Sequence, residues 1–192
     1  MSTTVQQIRR KVTIDEFRAI PEGPPYFEFE QGELIPMASP NRQHQEILLN
    51  LSFALRRHLT VHKTGRFWIE LDTELPNNRI YVPDLVYLSA DHLNRLSDAD
   101  GKIHGVPDLV VEIVSPHSSG RDRVVKFNAY LDAGVPWYWM VDADALVIEE
   151  FHNVAGRYVR TAGAAKGEAG REVFQPEALP GLEIDTRALL EG

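Results

Sequence analysis

Two periods of hydrophobicity run along the chain. Apolar residues spaced three or four apart mark a helix face, and apolar residues at alternate positions mark a half-buried strand. Ile47, Leu48, Leu51, Ala54, Leu55 and Leu59 follow the first spacing, which predicts a helix from the cap and first turn at Ser39-Pro40 to about residue 60. The same row extends backward to His44 and puts an imidazole on the inward face near the helix start. From Arg66 to Leu75 the second period takes over: Phe67, Ile69, Leu71, Thr73 and Leu75 alternate with Arg66, Glu70, Asp72 and Glu74, which predicts one half-buried strand. The turn Pro76-Asn77-Asn78 returns the chain into Ile80 to Leu88, apolar on both faces as in a central strand, with Asp84 inside it.

The remaining elements follow from the same signals. Thr13-Ile14-Asp15-Glu16 has capping-box spacing and predicts a short helix that ends before the turn cluster Pro21 to Pro25. Tyr26 to Pro36 predicts an N-terminal hairpin about Gln31-Gly32, in which Glu28 and Glu30 alternate with Phe27 and Phe29 and face solvent. Ser89 to Gly105 predicts a short helix and a surface loop, and Pro107 to Val114 a second strand apolar on both faces, with Glu112 inside it. After a loop at Ser115 to Gly120, a helix is expected over Arg121 to Ala133, with Val124, Phe127 and Leu131 inward, Lys126 on its second turn and Gly134 as its C-cap. Trp137 to Val141 and Leu146 to Phe151 predict a C-terminal hairpin about Asp142-Ala143-Asp144, with Tyr158 to Arg160 as a further strand. Thr161 to Gly170 reads as a loop, Leu182 to Ile184 as a last strand and Thr186 to Leu190 as a short helix. With no internal repeat or linker, the pattern predicts a single domain over 1–192, of α/β (α+β) class.

Composition narrows the chemistry. The chain has no cysteine, so thiolate metal sites, disulfides and cysteine nucleophiles are excluded, and any metal must be held by oxygen or nitrogen. The net charge of −8 argues against a protein that coats nucleic acid with a broad basic surface, but not against a metal-bridged phosphate substrate. No apolar run reaches the roughly 20 residues of a membrane span. Arg9, Arg10 and Lys11 lead into polar sequence and not into the apolar core of a secretory signal, so a cytoplasmic protein without membrane contact is expected. Strand edges and the aromatic run at Trp137 suggest a homodimer.

The chemistry rests on two carboxylates placed within apolar strands. A buried carboxylate is costly unless it is paired, hydrogen-bonded or bound to a cation, and Asp84 and Glu112 occupy consecutive strands of this kind. Hard divalent ions such as Mg²⁺ or Mn²⁺ take such oxygens, and the backbone carbonyl of Ile113 could complete the ligand set. Lys126, on the helix that follows, could orient water or steady phosphate charge; the competing reading is a surface ion pair with Asp122, four residues earlier. His44 has a site reading and a core-histidine reading of equal weight. Asp108 reads as structural, at the start of its strand. His58 and His62 have a zinc spacing, but the Glu that metalloprotease helices carry next is Leu59 here. No phosphate-binding glycine loop, nucleophile elbow or dinucleotide fingerprint is present, and Trp137, Tyr138 and Trp139 read as packing.

Val82-Pro83-Asp84-Leu85, Pro107 to Pro116, Lys126 to Tyr130 and Ala133 to Asp142, in that order, resemble the Uma-type restriction endonucleases, a branch of the PD-(D/E)XK nuclease superfamily. Tyr26 to Gly32, His44 and Pro180-Gly181-Leu182 extend the likeness over most of the chain. The resemblance implies a restriction-endonuclease-like mixed central sheet flanked by helices, Asp84 and Glu112 as the metal-binding acids, and Glu28 as an accessory acid. The wider superfamily has its lysine two residues after the second acid, where Val114 stands; Lys126 is what the branch would use instead. Two functions follow: a Mg²⁺- or Mn²⁺-dependent endonuclease acting on nucleic acid, DNA before RNA, or a non-catalytic nucleic-acid-binding or assembly module that keeps the fold.

Overall fold

The computed structural model describes residues 10–21, 23–114 and 120–190; the expected loop at 115–119 and the turn position at 22 lie outside them. Strand β1 (Arg10–Lys11) precedes helix α1 (Ile14–Arg18), and the hairpin β2 (Phe27–Glu30) and β3 (Glu33–Pro36) precedes the long helix α2 (Arg42–His62). Next come β4 (Gly65–Ile69), β5 (Thr73–Leu75), β6 (Arg79–Tyr81), β7 (Leu85–Ser89), a 3₁₀ turn at Ala90–Arg95, β8 (Ile103–His104) and β9 (Leu109–Val114). A π-helical turn at Arg121–Lys126 runs into α3 (Phe127–Ala133), followed by β10 (Trp137–Asp142), β11 (Val147–Val154), β12 (Arg157–Ala165), β13 (Val173–Phe174), β14 (Ile184–Asp185) and a 3₁₀ turn at Thr186–Leu189.

The central sheet has the order β12-β11-β10-β9-β7-β4, and a second sheet has the order β1-β3-β2-β6-β5-β8. The expected mixed sheet flanked by helices is therefore present. The mixture arises at β9 and β10, which run parallel with the π turn and α3 as their crossover, whereas β9 meets β7 antiparallel. Alternate residues of β9 point to opposite faces. Leu109, Val111 and Ile113 pack with Leu48, Leu51 and Leu55 of α2, and Val110 and Val114 pack with Ala129, Tyr130 and Ala133 of α3. All six β9 residues are buried, which is why its sequence reads as apolar on both faces.

Local signals set several boundaries. Thr13 caps α1 in the expected box with Glu16. Asn41, and not Ser39, caps α2, accepting from the His44 N–H at 2.8 Å. The hairpins β2–β3 and β10–β11 form as predicted. Among the described residues no helix is long and apolar enough to cross a membrane.

Three further expectations are corrected. The stretches Arg66 to Leu75 and Ile80 to Leu88 are not single strands. Each breaks where it passes between the central sheet and the second one, so β4 and β7 belong to the first and β5 and β6 to the other. Asp84 consequently sits in the bend before β7 and not within a strand. Lys126, Ala129, Tyr130 and Ala133 form the buried face of the 121–133 segment and Phe127 packs beside them as expected, but Val124, within the π turn, is 58% exposed. Strand β12 continues to Ala165 through what reads as loop, since pairing with β11 satisfies its backbone and Ala164 reaches the core.

Candidate functional site

The two bends lie side by side. Ile69 pairs with Leu85 in one sheet and Thr73 with Tyr81 in the other, so one register runs through the break and sets Glu70 opposite Asp84. The Glu70 N–H donates to the Asp84 carbonyl at 3.2 Å. On its other side Asp84 faces β9: Leu85 lies opposite Val111 and Val86 opposite Val110, which carries Asp84 to the level of Glu112. The Ile113 N–H donates to Asp84 Oδ2 at 2.5 Å. Asp84 Oδ1 lies 3.0 Å from Nε2 of His44, which projects from the first turn of α2.

Glu112 takes part in a buried network on the opposite face from α2. Its Oε1 accepts from Lys126 Nζ at 3.0 Å and from the Tyr130 hydroxyl at 2.9 Å. Lys126 also lies 2.8 Å from Glu28 Oε1, and Glu28 is held further by Arg121 at 2.8 Å and by the Val82 N–H at 3.2 Å. Arg121 spans to Glu30 at 2.6 Å. Lys126 is only 6% exposed, which excludes the reading of a solvent-exposed surface ion pair; the Asp122 side chain lies outside what is described. Glu28, expected to face solvent, is 3% exposed, because the second sheet folds that face of the hairpin onto Lys126 and Arg121.

The charges set the protonation states. Burial by itself would raise the Glu28 pKa, but the Lys126 and Arg121 cations outweigh it and hold the carboxyl below its ordinary value. Burial, then the Glu112 and Glu28 charges, push the Tyr130 phenol well up, so it stays protonated and donates to Glu112. For Arg121, burial would lower the pKa and the carboxylates reverse the direction.

The predicted residues therefore gather at one end of the central sheet, Asp84 with His44 and Glu112 with Lys126 and Glu28, joined through the Ile113 backbone. Sequence reading missed Glu70. With Asp84 and His44, it offers ligand atoms that all lie within 4.8 Å of one another. A hairpin folded about Asn77 pairs position 70 with position 84, so the turn held the signal.

The other candidates are structural. Asp108 accepts from the Ser89 N–H and from His92 Nδ1, each at 2.7 Å. His58 and His62 stack at 4.2 Å with no third metal ligand grouped with them among the described residues. Tyr138 and Trp139 are fully buried and Trp137 stacks on His152 at 3.9 Å. Buried Glu150, also unforeseen, is a structural anchor: it accepts from Trp139, Thr161 and the Glu177 and Ala178 N–H groups.

Comparison with known proteins agrees with this architecture. The family model Uma2, described as "Putative restriction endonuclease", matches residues 14–187. An uncharacterized protein of Synechocystis sp. (strain ATCC 27184 / PCC 6803 / Kazusa) is 25% identical over 137 residues, spanning 68% of this chain and 73% of the relative. A crystal structure from Anabaena variabilis ATCC 29413, described as "a putative nuclease belonging to DUF820", superposes with a TM-score of 0.74 at 21% identity. It covers 93% of this chain and 97% of that one, and establishes the shared fold.

Proposed function

Since the chain belongs to the Uma2 family, we propose that it is a Mg²⁺- or Mn²⁺-dependent endonuclease that hydrolyses phosphodiester bonds of nucleic acid, with DNA as the first substrate. The observation that carries this reading is that Asp84 accepts from the N–H of Ile113, the residue next to Glu112, while Glu112 accepts from the buried Lys126. Asp84, Glu112 and the Ile113 carbonyl would hold the metal, an oxygen donor set that suits a hard divalent ion. When bound, such an ion supplies Lewis acidity toward phosphate and lowers the pKa of coordinated water.

The chain's own groups have separable roles. The Ile113 N–H fixes one oxygen of Asp84 and so aims the other. Tyr130 and Lys126 both donate to Glu112 Oε1, which fixes that carboxylate in one rotamer. Lys126 keeps a positive charge where phosphate charge would grow, and Glu28 positions its ammonium.

The test is cleavage of supercoiled DNA, linear DNA and RNA by the full chain in Mg²⁺ and in Mn²⁺. Asp84→Asn and Glu112→Gln are each expected to lower the rate by at least about 100-fold, while circular dichroism stays that of the parent. Wild-type rates in both variants overturn the reading. A parent chain that binds nucleic acid and cleaves none of it supports the non-catalytic module instead.

A further inference from the structure

We propose that the ion at Asp84 is also bound by His44 and Glu70, making a mixed imidazole and carboxylate site that takes a first-row transition ion such as Mn²⁺ in preference to Mg²⁺. The proposal rests on the nuclease reading for the ion's role, while its ligands are assigned from geometry.

Three separate elements converge here: the first turn of α2 brings His44, the bend after β4 brings Glu70, and the bend before β7 brings Asp84. Their ligand atoms lie within 4.8 Å of one another. Donors bound at about 2.1 Å around a six-coordinate ion stand about 3.0 Å apart when adjacent and about 4.2 Å apart when opposite, so the group closes on an ion with little movement. The His44 Nε2 to Asp84 Oδ1 distance of 3.0 Å already equals an adjacent edge.

Each ligand is also held from behind. Asn41 accepts from the His44 backbone, Ile113 donates to the far oxygen of Asp84, and the Glu70 backbone is tied to the Asp84 carbonyl. Glu70 adopts φ +48°, a left-handed conformation unusual for a glutamate, which places its side chain on the same side of the bend as Asp84. Among the described residues its carboxylate has no ion pair or hydrogen bond of its own, so nothing else occupies the acid that completes the group.

The donor set decides the metal. Mg²⁺ prefers oxygen and keeps much of its water, whereas imidazole nitrogen favours transition ions. A nitrogen ligand at Asp84 therefore discriminates against Mg²⁺ at a site that carboxylates alone would leave open to both.

The experiment is Mn²⁺ titration of the full chain by calorimetry, with pulsed electron paramagnetic resonance of the bound ion. The expected results are Mn²⁺ affinity at least about tenfold above Mg²⁺, and ¹⁴N modulation that His44→Gln abolishes. Glu70→Gln, at an exposed position that folding tolerates, should weaken Mn²⁺ binding about tenfold and leave the ¹⁴N signal in place. Bound Mn²⁺ without nitrogen coupling, coupling that survives His44→Gln, or affinity unchanged by Glu70→Gln overturns the proposal. Nitrogen-coupled Mn²⁺ in a chain that cleaves nothing overturns the nuclease reading alone. Cleavage in Mn²⁺ without nitrogen coupling overturns this proposal alone.

Discussion

Lys126 places one ammonium against two buried carboxylates, at 2.8 Å from Glu28 and 3.0 Å from Glu112. Removing one partner of a buried pair leaves the other as an uncompensated charge, which costs more than the pair itself contributes. Lys126→Met should therefore destabilise the fold by about 3 to 5 kcal/mol, read as a lower midpoint in urea unfolding; an unchanged midpoint contradicts the buried network. Glu28 supplies a pH signature. Its folded-state pKa lies below the ordinary 4.5, so its stabilisation is fully present above that value and is lost as the pH falls below it through the folded pKa. Stability measured from pH 6 down to about pH 3 should fall less steeply in Glu28→Gln than in the parent. Sequence period put this glutamate on the wet side of its hairpin, because alternation distinguishes two faces and cannot tell that a second element covers the polar one.

At the scale of elements, the bent hairpin from β4 to β7 builds the site. Its start tolerates no side chain: a Cβ on Gly65 would collide with the Leu88 carbonyl and come within 2.7 Å of the Tyr87 ring. Gly65→Ala must displace the paired β7 backbone, and is expected to cost about 1 to 3 kcal/mol in urea unfolding. A variant within a few tenths of the parent would show that the two strands do not approach so closely. The alternation through Arg66 to Leu75 was legible, but the break in it was not. The register is the same on either side of Glu70, so the sequence shows no interruption where the chain changes sheets, although Ile69, inward by the alternation, is exposed. The helix after β9 failed differently. Phe127 packs on the core as its spacing predicts, whereas Val124, within the π turn, is exposed, and Lys126 shares the buried face of Ala129 and Tyr130.

Over the whole molecule, the central sheet is covered by α2 on one face and α3 on the other, and the proposed site opens where the second sheet diverges from it. The cations near the site, Arg121 and Lys126, are already paired with carboxylates, and the chain carries a net charge of −8. On the proposed reading, attraction for a polyanion would come through bound divalent ions. Fluorescence anisotropy with a labelled duplex should show no binding in EDTA and binding in millimolar Ca²⁺, with a shallow salt dependence corresponding to fewer than about four phosphate contacts. Equal affinity in EDTA and Ca²⁺ contradicts this.

The linear sequence determined what short-range physics controls: the Thr13 capping box, the hairpin at Gln31-Gly32, the amphipathic α2 and the apolar strand around Glu112. It also marked Asp84 and Glu112, because an acid within an apolar run conflicts with its surroundings and the conflict is visible locally. Tertiary structure alone decided that Glu28 is buried, that His44 reaches the Glu70 and Asp84 pair, and that Lys126 bridges two acids. Those contacts join residues from different elements far apart along the chain, and no periodicity encodes them. They exist because a hairpin bends between two sheets and the helix after β9 packs Lys126 against the second sheet.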